Sequence, residues 1–235
     1  DLKGKKNLTI ISGDIRDPQF CETITKGIDI VFHLAAQSYP QTSFTEANLT
    51  LDTNIIGTYN LLNAINKSKY KPYVHVCSSS EIFGKVSKDK LPIDENCNFH
   101  PASPYAISKV GTDLIGRYFF EAYKMKVMVT RMFTHTGPRR GDVFAESTFA
   151  KQIALIEAKK NPPLIKVGNL ESLRTFADVR DAVRAYYMLL TKKPKPGQAY
   201  NIGGNFTCKI GDMLNYLISL SKFKNIKIIK DKNRL

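Results

Sequence analysis

Between Ile28 and Phe133, apolar runs of strand type alternate with segments of helical period, and that alternation constrains the fold more than any other feature of the chain. Ile28–Ala36 is an apolar run of buried-strand type. Asn48–Lys67 follows, with Leu51, Ile55, Ile56, Tyr59, Leu62 and Ile65 at helical spacing. Tyr73–Cys77 reads as the next strand, Ala106–Tyr123 as a helix, and Val127–Phe133 as a further strand. Ahead of them, Leu8–Ile11 reads as a short strand closed by Ser12-Gly-Asp14, with a helix beginning after Asp17-Pro18. Strands and helices alternating at this spacing predict an α/β fold, a parallel sheet with crossover helices.

Past Gly137-Pro138 the pattern changes. Phe144–Lys160 is predicted helical, Pro162-Pro163 breaks it, and Leu164–Val167 is a short strand. Asp178–Thr191 is another helix with Asp178 at its N-cap, Gln198–Ile202 a strand, and Gly211–Ser221 the last helix. The expected division is residues 1–137 and residues 138–235, with a change of role near Gly137 and no flexible linker.

The 235 residues suffice for one large domain or two small ones. No apolar run approaches the roughly 20 residues of a membrane span. Residues 1–7 have no apolar core, so no secretory signal is expected. Cys21, Cys77, Cys97 and Cys208 lack C-x-x-C pairing, which suits reduced cytoplasmic thiols, and neither they nor His33, His75, His100 and His135 have metal-ligand spacing. No metal is expected. The net charge of +14 has two readings, a nucleic-acid footprint or a lysine-rich solvated surface with a pocket for an anionic nucleotide. The lysines are dispersed along the sequence and no aromatic-interleaved basic stripe accompanies them. The second reading is adopted, with no nucleic-acid or membrane partner expected.

The chemistry lies in Pro104-Tyr-Ala-Ile-Ser-Lys-Val110. On a helix, Tyr105 and Lys109 share a face. An ammonium beside a phenol favours the phenolate and draws a tyrosine pKa down from roughly 10. Ser78-Ser79-Ser80-Glu81, at the end of a strand, offers hydroxyl donors and a carboxylate. Together they describe a proton-transfer site. His33 and His75 lie in apolar runs and read as core histidines.

Val76-Cys-Ser-Ser-Ser-Glu-Ile-Phe-Gly84, Tyr105-x-x-x-Lys109 and Phe32-His-Leu-Ala-Ala-Gln-Ser38 resemble the extended short-chain dehydrogenase/reductases that act on nucleotide sugars. Gly13-Asp-Ile-Arg-Asp17, Asn54-x-x-Gly57-Thr58 and Arg174-x-Phe-x-Asp178 are similar to the same family. The run His135–Phe144 most resembles GDP-mannose 4,6-dehydratases and their near relatives. The motifs occur in order along nearly the whole chain. The resemblance implies a Rossmann-like doubly wound parallel sheet, a smaller C-terminal α/β substrate-binding part, and a cytoplasmic homo-oligomer, dimer or tetramer.

By that resemblance, Tyr105 is the base that takes the proton of the sugar 4-hydroxyl, and Lys109 holds the cofactor ribose and lowers the tyrosine pKa. Ser79 hydrogen-bonds the reacting oxygen, and Glu81 removes the C5 proton and assists loss of the C6 hydroxyl as water. Asp14 and Ile15 match adenine-contacting positions, while Leu34, Ala35, Ala36, Gln37 and Ser38 match the loop against the cofactor phosphates and ribose. His135 and Arg140 match further cofactor contacts. Arg174, with Lys151 as a second candidate, matches the cation at the nucleotide end of the substrate, where a forked guanidinium suits a diphosphate. The implied cofactor is NADP or NAD, NADP favoured, and the substrate a nucleotide-diphosphate sugar of GDP-mannose type. The implied reaction is 4,6-dehydration to the 4-keto-6-deoxy sugar. Reduction or epimerisation at C4 by the same Ser/Tyr/Lys set, and a non-catalytic nucleotide-sugar-binding role, stay open.

One departure stands out. The family's glycine-rich fingerprint does not occur, and the chain starts at what resembles the third strand of the fold. The adopted expectation is a fragment lacking a first β-α-β unit of about 50 residues, with more chain beyond Leu235. The alternatives are supply of that unit by a partner chain, or a degenerate homologue that binds without turnover. Leu8–Ile11 is then expected to have no neighbouring strand, and the strand at Ile28–Ala36 to form an open edge. Thr134 stands where relatives often place Asn.

Overall fold

A computed structural model describes residues 5–231. The chain forms two compact units, one built from the chain up to Arg131 together with Met188–Tyr200, the other from Met132–Tyr187 together with the chain from Asn201 onward.

In the first unit, Asp17 caps helix α1 (Pro18–Ile24) by accepting from the Gln19 amide, and Pro18 occupies the first turn where its missing N–H costs nothing. Strand β1 (Ile30–His33) follows. Short helices α2 (Thr42–Thr45) and α3 (Ala47–Leu51) lead through a π-helical turn (Asp52–Ile56) into α4 (Gly57–Lys67). Strand β2 (Tyr73–Ser79) passes into a 3-10 turn (Ser80–Phe83), and after a second such turn (Lys88–Lys90) comes the long helix α5 (Pro104–Tyr123). Strand β3 (Val127–Met132) is buried at every position, as a central strand should be. The sheet runs β1-β2-β3-β7, with β7 at Ala199–Ile202, and β1 pairs with β2 in parallel. The α/β fold with a parallel sheet is as the sequence predicts.

α5 turns Tyr105, Ala106, Ser108, Lys109, Thr112, Asp113, Gly116 and Phe119 inward, a stripe of helical period. Gly116 lets the helix lie close to β3, since a Cβ there would come within 2.8 Å of a Val129 methyl. Leu62, Ile65, Val74, Val76, Phe119, Val127 and Val129 form the core between helices and sheet.

Leu8–Ile11 is not a strand. Its residues pair with no other strand among those described, and Ile10 and Ile11 are 68% and 61% exposed. A strand gains its stability from a partner ladder, and an apolar run without one stays irregular. Among the described residues β1 borders β2 alone, and Phe32 on it is 39% exposed.

The second unit contains β4 (His135–Thr136), helix α6 (Ala145–Glu157), β5 (Leu164–Val167), β6 (Leu173–Asp178), the first part of α7 (Val179–Thr191), β8 (Phe206–Lys209), α8 (Ile210–Leu220) and β9 (Lys227–Lys230). β4 lies parallel and β8 antiparallel to β6, and β5 pairs in parallel with β9. Phe149, Ile153, Ile156, Ile165, Val167, Phe176, Ile210 and Leu214 form its core.

Candidate active site

Parallel strands place their C-terminal ends on one side of a sheet, and the predicted catalytic residues of the first unit gather there. Ser78 and Ser79 are the last residues of β2, both buried. The Ser79 hydroxyl accepts from the Glu81 amide at 3.2 Å, capping the 3-10 turn that carries Glu81 and tying the hydroxyl to the backbone of that residue. The turn closes at Gly84, whose φ of +58° and close approach to the His100 carbonyl oxygen admit no side chain.

α5 begins against this turn. Ser103 caps it by accepting from the Ala106 amide at 3.0 Å, and Pro104 fills the first turn. That start puts Tyr105 one turn before Lys109, and both are buried. The Lys109 ammonium donates to the Cys77 carbonyl oxygen at 2.8 Å and lies 5.9 Å from the Tyr105 ring centroid. Burial lowers the Lys109 pKa, because desolvation disfavours the charged form. The Ser78 hydroxyl donates to the Lys109 carbonyl oxygen at 3.0 Å, a second tie between β2 and α5.

A buried network centred on Asn54, a residue of the motif Asn54-x-x-Gly57-Thr58 to which the sequence assigned no role, supports this helix. The Asn54 side chain accepts from the Gln37 amide at 2.8 Å and donates to the Gln37 carbonyl oxygen at 2.9 Å, copying a strand pairing. The same Asn54 nitrogen donates to the Ser108 hydroxyl at 2.8 Å, which donates in turn to the Tyr105 carbonyl oxygen at 2.7 Å. Asn54 thus fastens the loop Leu34–Ser38 to the turn of α5 holding Tyr105. It sits in the π-helical turn, a distortion that often marks functional sites. The available signal was a polar residue on the buried face of an apolar helical stripe.

Arg131 and Asp113 are the second omission. The Arg131 guanidinium donates to both Asp113 carboxylate oxygens, at 2.8 and 3.2 Å, and to the Glu95 carbonyl oxygen at 2.7 Å. It lies 4.9 Å from the Phe99 ring centroid and 5.7 Å from that of Phe83, the last residue of the Glu81 turn. An arginine inside an otherwise apolar strand was the clue.

His33 and His75 are core residues as expected, bonded to Thr58 at 2.8 Å and to Thr130 at 2.7 Å. Burial pushes their pKa down to about 4 and about 3 respectively. Asp14 is exposed and gripped by Arg16, whose hydrogen bonds lower its pKa. Ile15 packs over Gly57, and Asn60 donates to the Arg16 carbonyl oxygen at 2.9 Å, holding this loop on α4.

The remaining candidates belong to the second unit. His135 is half-buried, bonded to the Phe133 carbonyl oxygen at 3.2 Å, and burial lowers its pKa. Arg140 pairs with Glu146 and stacks on Phe144, its guanidinium carbon 3.7 Å from the ring centroid. Lys151 is exposed and paired with Asp142. Arg174 is exposed on β6, donating to the Leu173 carbonyl oxygen. No cluster of metal-ligating side chains occurs among the described residues.

A family model described as GDP-mannose 4,6 dehydratase matches residues 1–234. The GDP-6-deoxy-D-mannose reductase of Pseudomonas aeruginosa is 31% identical over 207 residues, covering 88% of this chain and 67% of that protein. The human dTDP-D-glucose 4,6-dehydratase is 34% identical over 226 residues, covering 95% of this chain and 62% of that protein. The GDP-mannose 4,6-dehydratase of Yersinia enterocolitica is 34% identical over 182 residues, covering 76% of this chain and 48% of that protein. The chain therefore spans between about half and two thirds of the length of these relatives. Among solved structures, RMD from Pseudomonas aeruginosa complexed with NADPH superposes with a TM-score of 0.88 at 30% identity, covering 94% of this chain and 74% of that one. DesIV, a dTDP-glucose 4,6-dehydratase from Streptomyces venezuelae with NAD and TYD bound, shares the fold with a TM-score of 0.87 at 23% identity, covering all of this chain and 70% of that one. With its motifs in order, its parallel sheet, and a serine, glutamate, tyrosine and lysine brought to one end of that sheet, the chain belongs to the GDP-mannose 4,6 dehydratase family.

Proposed function

We propose that the protein to which this chain belongs carries out the 4,6-dehydration of a nucleotide-diphosphate sugar of GDP-mannose type, using NADP or NAD. One observation carries the reading. Ser79 and Glu81 share a capped turn at the end of β2, beside the turn of α5 that buries Tyr105 and Lys109.

The residues of the first unit suit a dinucleotide. Leu34–Ser38 follows β1, and the Gln37 side-chain oxygen is buried without a hydrogen-bond partner, which a bound polar group would supply. Lys109, with three donors on a desolvated ammonium, suits ribose hydroxyls. Asp14 and Ile15 are assigned to the adenine end, and His135 and Arg140 to further contacts. The complex of Pseudomonas aeruginosa RMD with NADPH supports NADP as the favoured form. A nicotinamide bound there supplies a two-electron acceptor and donor.

Tyr105, as phenolate, takes the proton of the sugar 4-hydroxyl, with the Lys109 ammonium favouring that form. The Ser79 hydroxyl donates to the oxygen at C4 as it becomes a carbonyl. A carbonyl at C4 acidifies the C5 proton, which the Glu81 carboxylate removes. Returned to the C6 hydroxyl, that proton leaves with it as water. The enone left behind becomes the 4-keto-6-deoxy sugar when the hydrogen and two electrons taken from C4 come back at C6 and a proton is added at C5. Arg174 and Lys151 are assigned to the nucleotide diphosphate, Arg174 for its forked donors. In this reading residues 1–137 serve mainly the dinucleotide and residues 138–235 mainly the substrate, in a cytoplasmic homo-oligomer.

The identity to GDP-6-deoxy-D-mannose reductase favours a second reading, reduction at C4 by the same serine, tyrosine and lysine. Incubation of the full-length protein with GDP-mannose and NADP, followed by mass spectrometry, decides between them. A product lighter by one water supports dehydration. Unchanged GDP-mannose, with turnover of a 4-keto sugar by NADPH, assigns the reductase role.

A further inference from the structure

The lysines are dispersed in the sequence, but the fold gathers a third of them. A parallel sheet brings every loop that feeds a strand to one end, and in the first unit these loops are lysine-rich. The end of α4 and the loop into β2 carry Lys67, Lys69 and Lys71, and the loop into β3 carries Lys124 and Lys126. Lys192, Lys193 and Lys195 precede β7, and Lys26 precedes β1. All are exposed, and none is in an ion pair among the described residues. Backbone hydrogen bonds join the loop ends into one rim, from the Tyr73 amide to the Asp29 oxygen at 2.9 Å, from Val74 to Lys126 at 2.9 Å, and from Gly197 to Val127 at 2.7 Å. Glu22, Asp29 and Glu121 are the acidic residues in the last helical turns and loops that end at this rim.

This rim is remote from the candidate active site. The seven residues of β2 separate them by about 20 Å at the rise of a strand, two Debye lengths at moderate salt. The lysines therefore do not serve the nucleotide sugar. Aromatic rings stand among them, with Lys126 4.7 Å from the Tyr73 centroid, Lys69 5.4 Å from Tyr70 and Lys124 5.6 Å from Phe120. Each of these ring faces is covered by an ammonium of the protein itself, which disfavours base stacking and hence single-stranded nucleic acid. Cations outside ion pairs, with the amphipathic rings of Tyr70 and Tyr73 alongside, instead suit the headgroup layer of an anionic bilayer.

We propose that this end of the sheet is a docking surface for an anionic lipid membrane, distinct from the active site and independent of the reaction assigned to it. Attraction of roughly 1 kcal/mol for each lysine near such a surface corresponds to about fivefold in affinity per residue. The test uses the full-length protein and sedimentation with vesicles of phosphatidylcholine containing about one third phosphatidylserine, against pure phosphatidylcholine. Two variants carry equal charge changes, Lys69, Lys71, Lys124 and Lys126→Gln on the rim, and Lys159, Lys160, Lys227 and Lys230→Gln in the second unit. The expected result is salt-sensitive binding to the anionic vesicles alone, weakened at least about 100-fold in the rim variant and by no more than about threefold in the other. Equal weakening in both variants would assign the effect to net charge and overturn the proposal. So would absence of vesicle binding, or binding of poly-uridylate through the rim lysines in its place.

Discussion

Arg131→Met is expected to be among the most damaging single substitutions in the first unit, and the structure sets its size. Arg131 and Asp113 are 1% and 0% exposed, so the substitution leaves a carboxylate buried with one other cation near it, Arg117 at 3.6 Å. Breaking a buried pair from one side costs about 3–5 kcal/mol, because the remaining charge is uncompensated. For a chain of this size that lowers the melting temperature by roughly 6–20 °C. Adding Asp113→Leu removes the stranded charge and should recover most of the loss, to within about 1–2 kcal/mol of the parent, the hydrogen bond to the Glu95 oxygen staying lost. Urea denaturation of the parent, both single variants and the double variant measures the coupling directly. A double variant no more stable than Arg131→Met would refute the reasoning, since it would show that the charge left behind is not what destabilises.

Three further outcomes follow. Tyr105→Phe should abolish turnover with an unchanged melt, and Lys109→Met should nearly do so; parent-like rates in Tyr105→Phe would remove it from the chemistry. Asn54→Leu keeps the branched shape but loses the bonds to Gln37 and Ser108, so dinucleotide affinity measured by calorimetry should fall at least about tenfold, the equivalent of one to two lost hydrogen bonds. His33 and His75 have folded pKa values depressed to about 4 and about 3, so the unfolded chain binds protons first as the pH falls below about 6.5. Their contribution is complete above that pH and is lost as acid is added, at up to about 2.7 kcal/mol per pH unit while both titrate in the unfolded chain alone. Stability curves between pH 7 and pH 4 should steepen accordingly, and His75→Phe should remove about half the slope.

What could be read from the sequence was local. Ser103-Pro104 starts α5, and the four-residue spacing then fixes Tyr105 and Lys109 on its buried face. Likewise β2 and the serines at its end follow from an apolar run meeting small polar residues. Pairings between distant segments were not legible. Leu8–Ile11 has the composition of a strand, but composition does not state whether a neighbour exists. β6, β8 and β9 were not predicted, being short, mixed in polarity and stabilised by partners up to 63 residues away in β5 and β9. Arg131 finds Asp113 across 18 residues, and Asn54 finds Ser108 across 54, distances at which spacing carries no signal.

The central claim is that Glu81 removes the C5 proton while Tyr105 serves the 4-hydroxyl, and rapid mixing of the full-length Glu81→Gln variant with GDP-mannose and NADP tests it most directly. The account predicts reduced nicotinamide absorbance that rises and persists, with no 4-keto-6-deoxy sugar released. Unimpaired formation of that sugar by the variant would contradict it.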